Sequence, residues 1–246
     1  MRHPVRLIST LLVASALFAA PALGAPADST ASLPPPSPPT WSHAASRPLL
    51  TRGDAWFAAA TVASVALATR FDRWAEEEAP ENNGRTSVNV SRAAERLGNP
   101  IYIVPAFLVL GAADALGHRS DRTASLVRIA EGTAAAGVAT AIVKMAVGRA
   151  RPFEAPQDQD VLVPFSGRSA FPSGHTALAF GLAAAIDRET TARWVPWVVY
   201  PLAGLVGWSR VRDGEHWLSD VAAGAALGSW TARKVVEIAR RRSKSP

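Results

Sequence analysis

The feature of this sequence that most constrains its fold is a series of six apolar segments separated by polar, glycine and proline residues. The segments are rich in Ala and Leu, and the alternation of apolar and polar residues that is typical of a half-buried strand is almost absent. We therefore predict an all-α fold, a helical bundle of about six principal helices. The predicted helices cover residues 55–69, 101–113, 132–143, 176–186, 194–208 and 221–232. Residues 71–99 receive no assignment.

The composition narrows the class of protein. The chain has 246 residues, of which 48% are hydrophobic and 19% charged, which suits one domain of roughly 200 residues and excludes disorder for most of the chain. It has no cysteine, so disulfides, thiolate metal sites and cysteine nucleophiles are excluded. The net charge is +6 and nearly all the cations are arginine, which is well suited to gripping phosphate. A basic balance can indicate nucleic acid, anionic lipid or phosphorylated ligands, and the motifs described below lead us to expect a phosphorylated ligand and no nucleic acid.

The N-terminal region divides into a leader and a linker. Arg2 and Arg6 precede an apolar run over 7–23 that ends in small residues, which is the pattern of a secretory signal peptide. We predict a signal peptide over 1–24; the alternative is an uncleaved anchor helix. Residues 25–50 are rich in proline and predict a linker. The functional domain is then expected over 51–246, in an exported protein.

A first candidate block follows the third apolar segment. Lys144, Gly148 and Arg151 are at helical spacing, so we expect the two cations on one helix face, with Pro152 ending the pattern. Two such charges repel each other unless an anion lies between them; the alternative is an ordinary solvated helix end. We expect Arg149 on the surface.

A second block, residues 171–175, immediately precedes the fourth apolar segment. Pro172 favours a helix start, while Ser173 and Gly174 let backbone amides converge on one point. Free amides at a positive helix end bind anions, and His175 could supply a proton. The alternative is a Ser-capped helix with an incidental histidine.

A third block runs from Ser209 to Asp220. His216 and Asp220 are four residues apart, so on a helix the carboxylate could hold one imidazole nitrogen and leave the other free to attack or abstract. A metal site is the alternative, but the carboxylates of Asp213 and Glu215 would point to different sides of the chain, and no second histidine is near in sequence. That alternative set is Asp213, Glu215, His216 and Asp220.

Together the blocks resemble the type 2 phosphatidic acid phosphatase and vanadium haloperoxidase superfamily. The residues that carry the resemblance span roughly 140–225, in the family's order and spacing. They are Lys144-x6-Arg151-Pro152, Pro172-Ser173-Gly174-His175 and Ser209-Arg210-x5-His216-x3-Asp220.

The resemblance implies a role for each residue. His216 would attack phosphorus to form a phosphohistidine, Asp220 would hold His216, and His175 would protonate the leaving oxygen. The phosphoryl oxygens would be bound by Lys144, Arg151, Arg210 and the amides around Ser173 and Gly174. No metal and no other cofactor is expected, because fixed cations and a helix end supply the positive field.

The relation to the membrane stays open at this point. The resemblance implies six spanning helices with an outward-facing site, but the apolar runs here are shorter than the roughly 20 residues of a span. If a signal peptide is followed by six spans, the site falls in the cytoplasm and the basic tail outside, against the positive-inside tendency. We therefore favour a periplasmic domain, soluble or associated with the inner membrane.

We predict from these features an exported, metal-independent phosphatase that hydrolyses phosphomonoester or pyrophosphate groups of a lipid or a small molecule. Within the same family the alternative is a vanadate-dependent haloperoxidase. From another class it is a non-catalytic binder of anionic lipid headgroups. The sequence gives neither the leaving group nor the oligomeric state.

Overall fold

The computed structural model describes residues 50–78, 84–117, 120–155, 158 and 160–243. The predicted signal peptide over 1–24 and nearly all of the linker over 25–50 lie outside these residues and stay predictions, as does the domain boundary at residue 51. Within the described residues the chain forms eight helices and no strand, apart from one antiparallel bridge between Arg149 and Leu162.

The all-α prediction is confirmed; five of the six predicted segments lie within a helix, and the segment 194–208 begins two residues before α7. Residues 71–99, which the sequence left unassigned, contain the two additional helices α2 and α3. The bounds are α1 (Arg52–Thr69), α2 (Asp72–Glu78), α3 (Arg85–Gly98), α4 (Pro100–Leu116), α5 (Ser120–Val147), α6 (Gly174–Glu189), α7 (Pro196–Arg212) and α8 (Leu218–Arg242).

The centre of the bundle is formed by α5, α6 and α8, which pack closely because their contact faces carry small residues. A Cβ atom at Gly224 would lie 2.5 Å from the carbonyl oxygen of Ser173, and one at Gly228 would lie 2.1 Å from that of Ala177. Only glycine permits this approach of α8 to the start of α6. The close contact fixes the first turns of both helices beside each other.

The remaining helices surround this centre. α7 packs on α6, α3 packs on α7 and α6, α1 lies along α8, and α4 lies along α5. A capping box begins α1, in which the Asp54 amide donates to Thr51 Oγ1 and the Asp54 carboxylate accepts from the Thr51 amide. Asp54 also binds Trp230 and Lys234, and so anchors α1 to α8.

The end of α5 differs from the prediction. The helix stops at Val147, because Gly148 adopts a left-handed conformation with φ +61 and its amide donates to the Lys144 carbonyl at 3.0 Å. A Cβ at Gly148 would lie 1.9 Å from the Val163 carbonyl oxygen, so the turn requires glycine. Lys144 and Arg151 therefore do not share a helix face; the turn at Gly148 brings them together.

Among the described helices, α5 is long and apolar enough to cross a membrane. α3 and α4 would together make a second crossing if the 56° bend between them falls within one span. The apolar side of α4 is open, with Ile101, Leu108 and Val109 exposed.

The tryptophans of the C-terminal half differ in exposure. Trp194, Trp197 and Trp208 are exposed, whereas Trp217 is buried and Trp230 is half-buried against α1.

Candidate active site

The three sequence blocks meet at one end of the bundle, where α5 and α7 end and α6 and α8 begin. Two hydrogen bonds join the blocks directly: the Ser173 amide donates to the Asp220 carbonyl at 2.9 Å, and Trp217 Nε1 donates to the Ala150 carbonyl at 3.0 Å. Residues far apart in the chain are thereby held in one cluster of charged and imidazole groups.

The first block supplies two cations that point to the same place. Lys144 Nζ donates a hydrogen bond to the Ser169 carbonyl, and Arg151 Nη2 lies 3.4 Å from Ser169 Oγ. Arg151 also pairs with Glu215, which is half-exposed. Both cations thus lie beside the start of α6, and each lowers the pKa of His175.

The second block forms the first turn of α6. Ser173 is buried, its hydroxyl accepts from Thr176 Oγ1 at 2.9 Å, and its amide is committed to the Asp220 carbonyl. The first amides of an α-helix have no acceptor within the helix, so the amides from Gly174 onward are the ones that α6 offers to an anion. Ser173 itself ties α6 to α8.

The third block contributes Arg210 from the last turn of α7. Its side chain is 6% exposed, and Nη2 lies 3.2 Å from Asp213 Oδ2 and 3.6 Å from Glu95 Oε2. A nearly buried guanidinium with two carboxylates at its outer edge is held in a fixed orientation. Burial and Arg210 are the two largest causes that lower the pKa of His175.

His216 does not lie on a helix as expected. It precedes α8 by two residues, and Asp220 is in the first turn of α8. His216 Nδ1 lies 3.6 Å from Asp220 Oδ2, an oxygen that also accepts from the Trp217 amide at 2.9 Å. The carboxylate thus faces Nδ1 at a separation longer than a hydrogen bond, and attack by Nε2 stays a prediction.

Burial governs the titration of both histidines. It lowers the pKa of His175 from 6.5 to about 4, and Arg210, His216 and Lys144 act in the same direction. It also lowers the pKa of His216, against which the Asp220 carboxylate acts. A neutral His216 is the form that a nucleophile requires, whereas His175 needs an added negative charge nearby to carry a proton at neutral pH.

The metal alternative is not supported by the geometry. Asp213 pairs with Arg210, Glu215 with Arg151, and Asp220 with Arg149. Each of these carboxylates faces an arginine, and no group of three or more candidate metal ligands occurs among the residues that the structure describes.

The expectation that Arg149 lies on the surface is wrong. The side chain is 6% exposed and bridges two buried carboxylates, with Nη1 2.7 Å from Asp220 Oδ1 and Nη2 2.9 Å from Asp72 Oδ2. Its guanidinium also lies 5.5 Å from the centre of the Trp217 ring. The prediction failed because it extended α5 past Gly148.

Asp72 and Glu95 are the site residues that the sequence did not indicate. Asp72, the first residue of α2, is fully buried beneath the site. Glu95 on α3 lies at its mouth, with Oε1 4.0 Å from His175 Nε2. Both belong to residues 71–99, where no motif marks an acidic residue as functional.

The model of the PAP2 superfamily matches residues 125–244 of this chain. These residues include every member of the three blocks, so the resemblance stated from the motifs is confirmed.

Two curated relatives share this region. A lipid A 1-phosphatase of Porphyromonas gingivalis is 42% identical over 62 residues, which is 24% of this chain and 14% of that protein. An undecaprenyl-diphosphatase of Sulfolobus acidocaldarius is 36% identical over 98 residues, 39% of this chain and 47% of the relative. The chain therefore spans less than half the length of either relative.

The fold is shared with a solved structure, a transmembrane PAP2 type phosphatidylglycerolphosphate phosphatase from Bacillus subtilis. The TM-score is 0.61 at 18% identity, over 79% of this chain and 98% of that one. The similarity establishes the arrangement of helices.

Proposed function

We propose that the protein is a metal-independent phosphatase that removes a phosphate or pyrophosphate group from a lipid through a phosphohistidine intermediate. The observation that carries the proposal is the convergence of Lys144, Arg151 and Arg210 on two imidazoles, one of which faces a buried carboxylate.

The geometry supports a two-step reaction. In the first step the lone pair of His216 Nε2 forms a bond to phosphorus, the bond from phosphorus to the leaving oxygen breaks, and His175 gives that oxygen a proton. In the second step His175 accepts a proton from water, the water oxygen bonds to phosphorus, and the N–P bond breaks. The three cations balance the charge on the phosphoryl oxygens throughout.

An apolar groove beside the site favours a lipid over a small molecule. It encloses about 740 Å³ between α1, α5 and α8. Val143 and Pro172, which line it, directly precede Lys144 and Ser173 in the chain. A phosphoryl group held by the cations could thus extend an attached hydrocarbon chain into the groove. Further lining residues are Phe57, Val65, Phe171 and Leu227.

A filled groove tests the choice of substrate. Val65→Trp places a bulky ring in the groove, whereas Leu67→Trp makes the same change at a 62% exposed position of α1 that does not line it. We expect Val65→Trp to raise the KM for a long-chain lipid phosphate at least fivefold and to leave an aryl phosphate unaffected. Equal effects of the two variants would argue against a lipid chain in the groove.

The activity itself is tested by release of inorganic phosphate from phosphatidic acid or a prenyl diphosphate in detergent micelles, with EDTA present. We expect turnover that falls by about 10³-fold or more in His216→Ala. Full turnover in that variant would contradict the proposal, and halide oxidation after addition of vanadate would support the haloperoxidase alternative.

We further propose that the protein acts at the membrane with its site facing the periplasm. The signal-like N-terminus and the exposed apolar side of α4 support this location. Membrane fractionation combined with a C-terminal topology reporter tests it. Recovery of the protein in the soluble cytoplasmic fraction would contradict it.

A further inference from the structure

The two oxygens of Asp220 are bound on opposite sides. Oδ2 faces His216 Nδ1 and accepts from the Trp217 amide, while Oδ1 accepts a hydrogen bond from Arg149 Nη1 at 2.7 Å. Asp220 is fully buried, so its orientation is set by these protein groups and not by solvent. Any residue that fixes Oδ1 also fixes the direction from which Oδ2 meets the imidazole.

Arg149 is held in turn by Asp72. Asp72 Oδ2 accepts from Arg149 Nη2 at 2.9 Å and from Ser219 Oγ at 2.6 Å, and its Oδ1 accepts from the Ser219 amide at 2.8 Å. Ser219 Oγ also accepts from Arg149 Nη1 at 2.6 Å. α2 is thereby attached to the first turn of α8 by a closed network of buried hydrogen bonds.

We propose that Arg149 and Asp72 are positioning residues for the nucleophile, Arg149 by orienting the Asp220 carboxylate and Asp72 by balancing the charge of Arg149. The inference rests on the proposed function, because it assigns the two residues a role in the attack by His216.

The charge balance explains why Asp72 is needed. An arginine bound to Asp220 alone would cancel the carboxylate that stabilises positive charge on the His216 ring during attack. Asp72 returns the cluster of Arg149, Asp72 and Asp220 to a net charge of −1. Asp220 then retains its effect on His216, and the low exposure of the network preserves the strength of these interactions.

The test compares variants by separate measurement of kcat and KM. Asp72→Asn keeps the size and one of the two acceptor oxygens of the side chain but removes its charge. We expect kcat to fall about tenfold or more, the equivalent of one pKa unit of interaction, while KM stays within twofold because the phosphate-binding cations are unchanged. Asp72→Glu restores the charge and should recover part of the lost kcat.

Glu189→Gln is the matched control. Glu189 is also buried and paired with an arginine, Arg128, but it lies at the far end of α6 from His175. We expect its kcat to remain within twofold of the wild-type value. A loss of kcat in Asp72→Asn that is no larger than the loss in this control would assign Asp72 a purely structural role and overturn the inference.

A second variant keeps the inference testable if Asp72→Asn does not fold. Ser219→Ala removes one hydroxyl of the network and should lower kcat two- to fivefold with KM unchanged; an unchanged kcat would overturn the inference. Unchanged kcat in the network variants together with inactive His216→Ala would leave the proposed function intact. Activity in His216→Ala would remove the proposed function as well.

Discussion

Charged side chains cluster at both ends of α6, but the two clusters differ in how completely their polar atoms are hydrogen-bonded. At the C-terminal end, Glu189 accepts two hydrogen bonds from Arg128, at 3.0 and 2.8 Å, and lies 3.0 Å from Arg240. At the N-terminal end, His175 Nε2 and His216 Nδ1 are buried without a hydrogen-bond partner in the part of the chain that the structure describes.

Among the described residues, this difference separates a cluster whose carboxylate is fully paired from one in which two imidazole nitrogens are unpaired. Buried polar atoms are nearly always hydrogen-bonded, and those that are not commonly belong to catalytic sites. The Glu189 end joins α5, α6 and α8 with its polar groups paired. The His175 end lies where four helix termini meet, and it places cations beside His175 Nε2, the unpaired nitrogen that a bound phosphoryl group would contact; His216 Nδ1 instead faces Asp220 Oδ2.

Exchange of one arginine at each end should give the largest contrast. Arg210→Gln removes a buried cation from the phosphate site, and we expect kcat for phosphate release to fall by about 10²–10³-fold. Arg240→Gln at the Glu189 end should change kcat less than twofold. Similar losses of kcat in both variants would show that the ends do not differ in function.

Deprotonation of His175 at rising pH should lower the activity by about 10- to 100-fold. His175 must be protonated to act as an acid, so activity is lost as the pH rises through its pKa, which is about 4 without substrate. The negative charge of a bound phosphate raises that pKa. We therefore expect the falling limb of kcat to lie at least one pH unit above the falling limb of kcat/KM.

The variant His175→Asn shows whether the falling limb of the pH profile comes from deprotonation of His175 or from ionisation of the substrate. It should reduce kcat and abolish the difference between the two limbs. Persistence of the same falling limb in His175→Asn would rule out His175 as the acid.

The stability of the other end can be measured independently. Glu189→Gln leaves Arg128 without its carboxylate, and we expect the free energy of unfolding to fall by about 1–3 kcal/mol. Thermal unfolding of the purified protein should show a lower Tm. An unchanged Tm would mean that this ion pair does not stabilise the bundle.

The smallest effect is expected at Glu95. Its carboxylate lies 3.6 Å from Arg210 and faces the place where the phosphate would bind, so Glu95→Gln should lower KM by about two- to threefold. Glu77→Gln, at an exposed position of α2, serves as the control. A raised KM would indicate that Glu95 helps to bind the substrate.

The sequence predicted the main helices because these depend on local apolar patterns, whereas the expected meeting of the three blocks came from the family resemblance. Apolar segments of sufficient length identify α1 and α4 to α8, and the spacing within each block places its residues near helix ends. His216 was expected on a helix, but Asp220 in the first turn of α8 still faces it, since a helix start and a helix face bring residues at this spacing equally close.

The residues that the sequence missed are positioned by tertiary contacts. Arg149 is turned inward by the left-handed Gly148, a conformation that a lone glycine does not specify. Asp72 comes from a helix of seven residues that is too short for a periodic pattern, and it reaches the site only because α2 docks against the start of α8. Neither contact leaves a signal in the spacing of the chain.

The central claim is that His216 accepts the phosphoryl group, and rapid quenching with a ³²P-labelled lipid phosphate tests it most directly. The account predicts an acid-labile, base-stable phosphoryl group on His216 during turnover, absent from His216→Ala and formed more slowly in His175→Asn. Turnover of the wild-type protein without such a group, or a label that remains on another residue in His216→Ala, would contradict it.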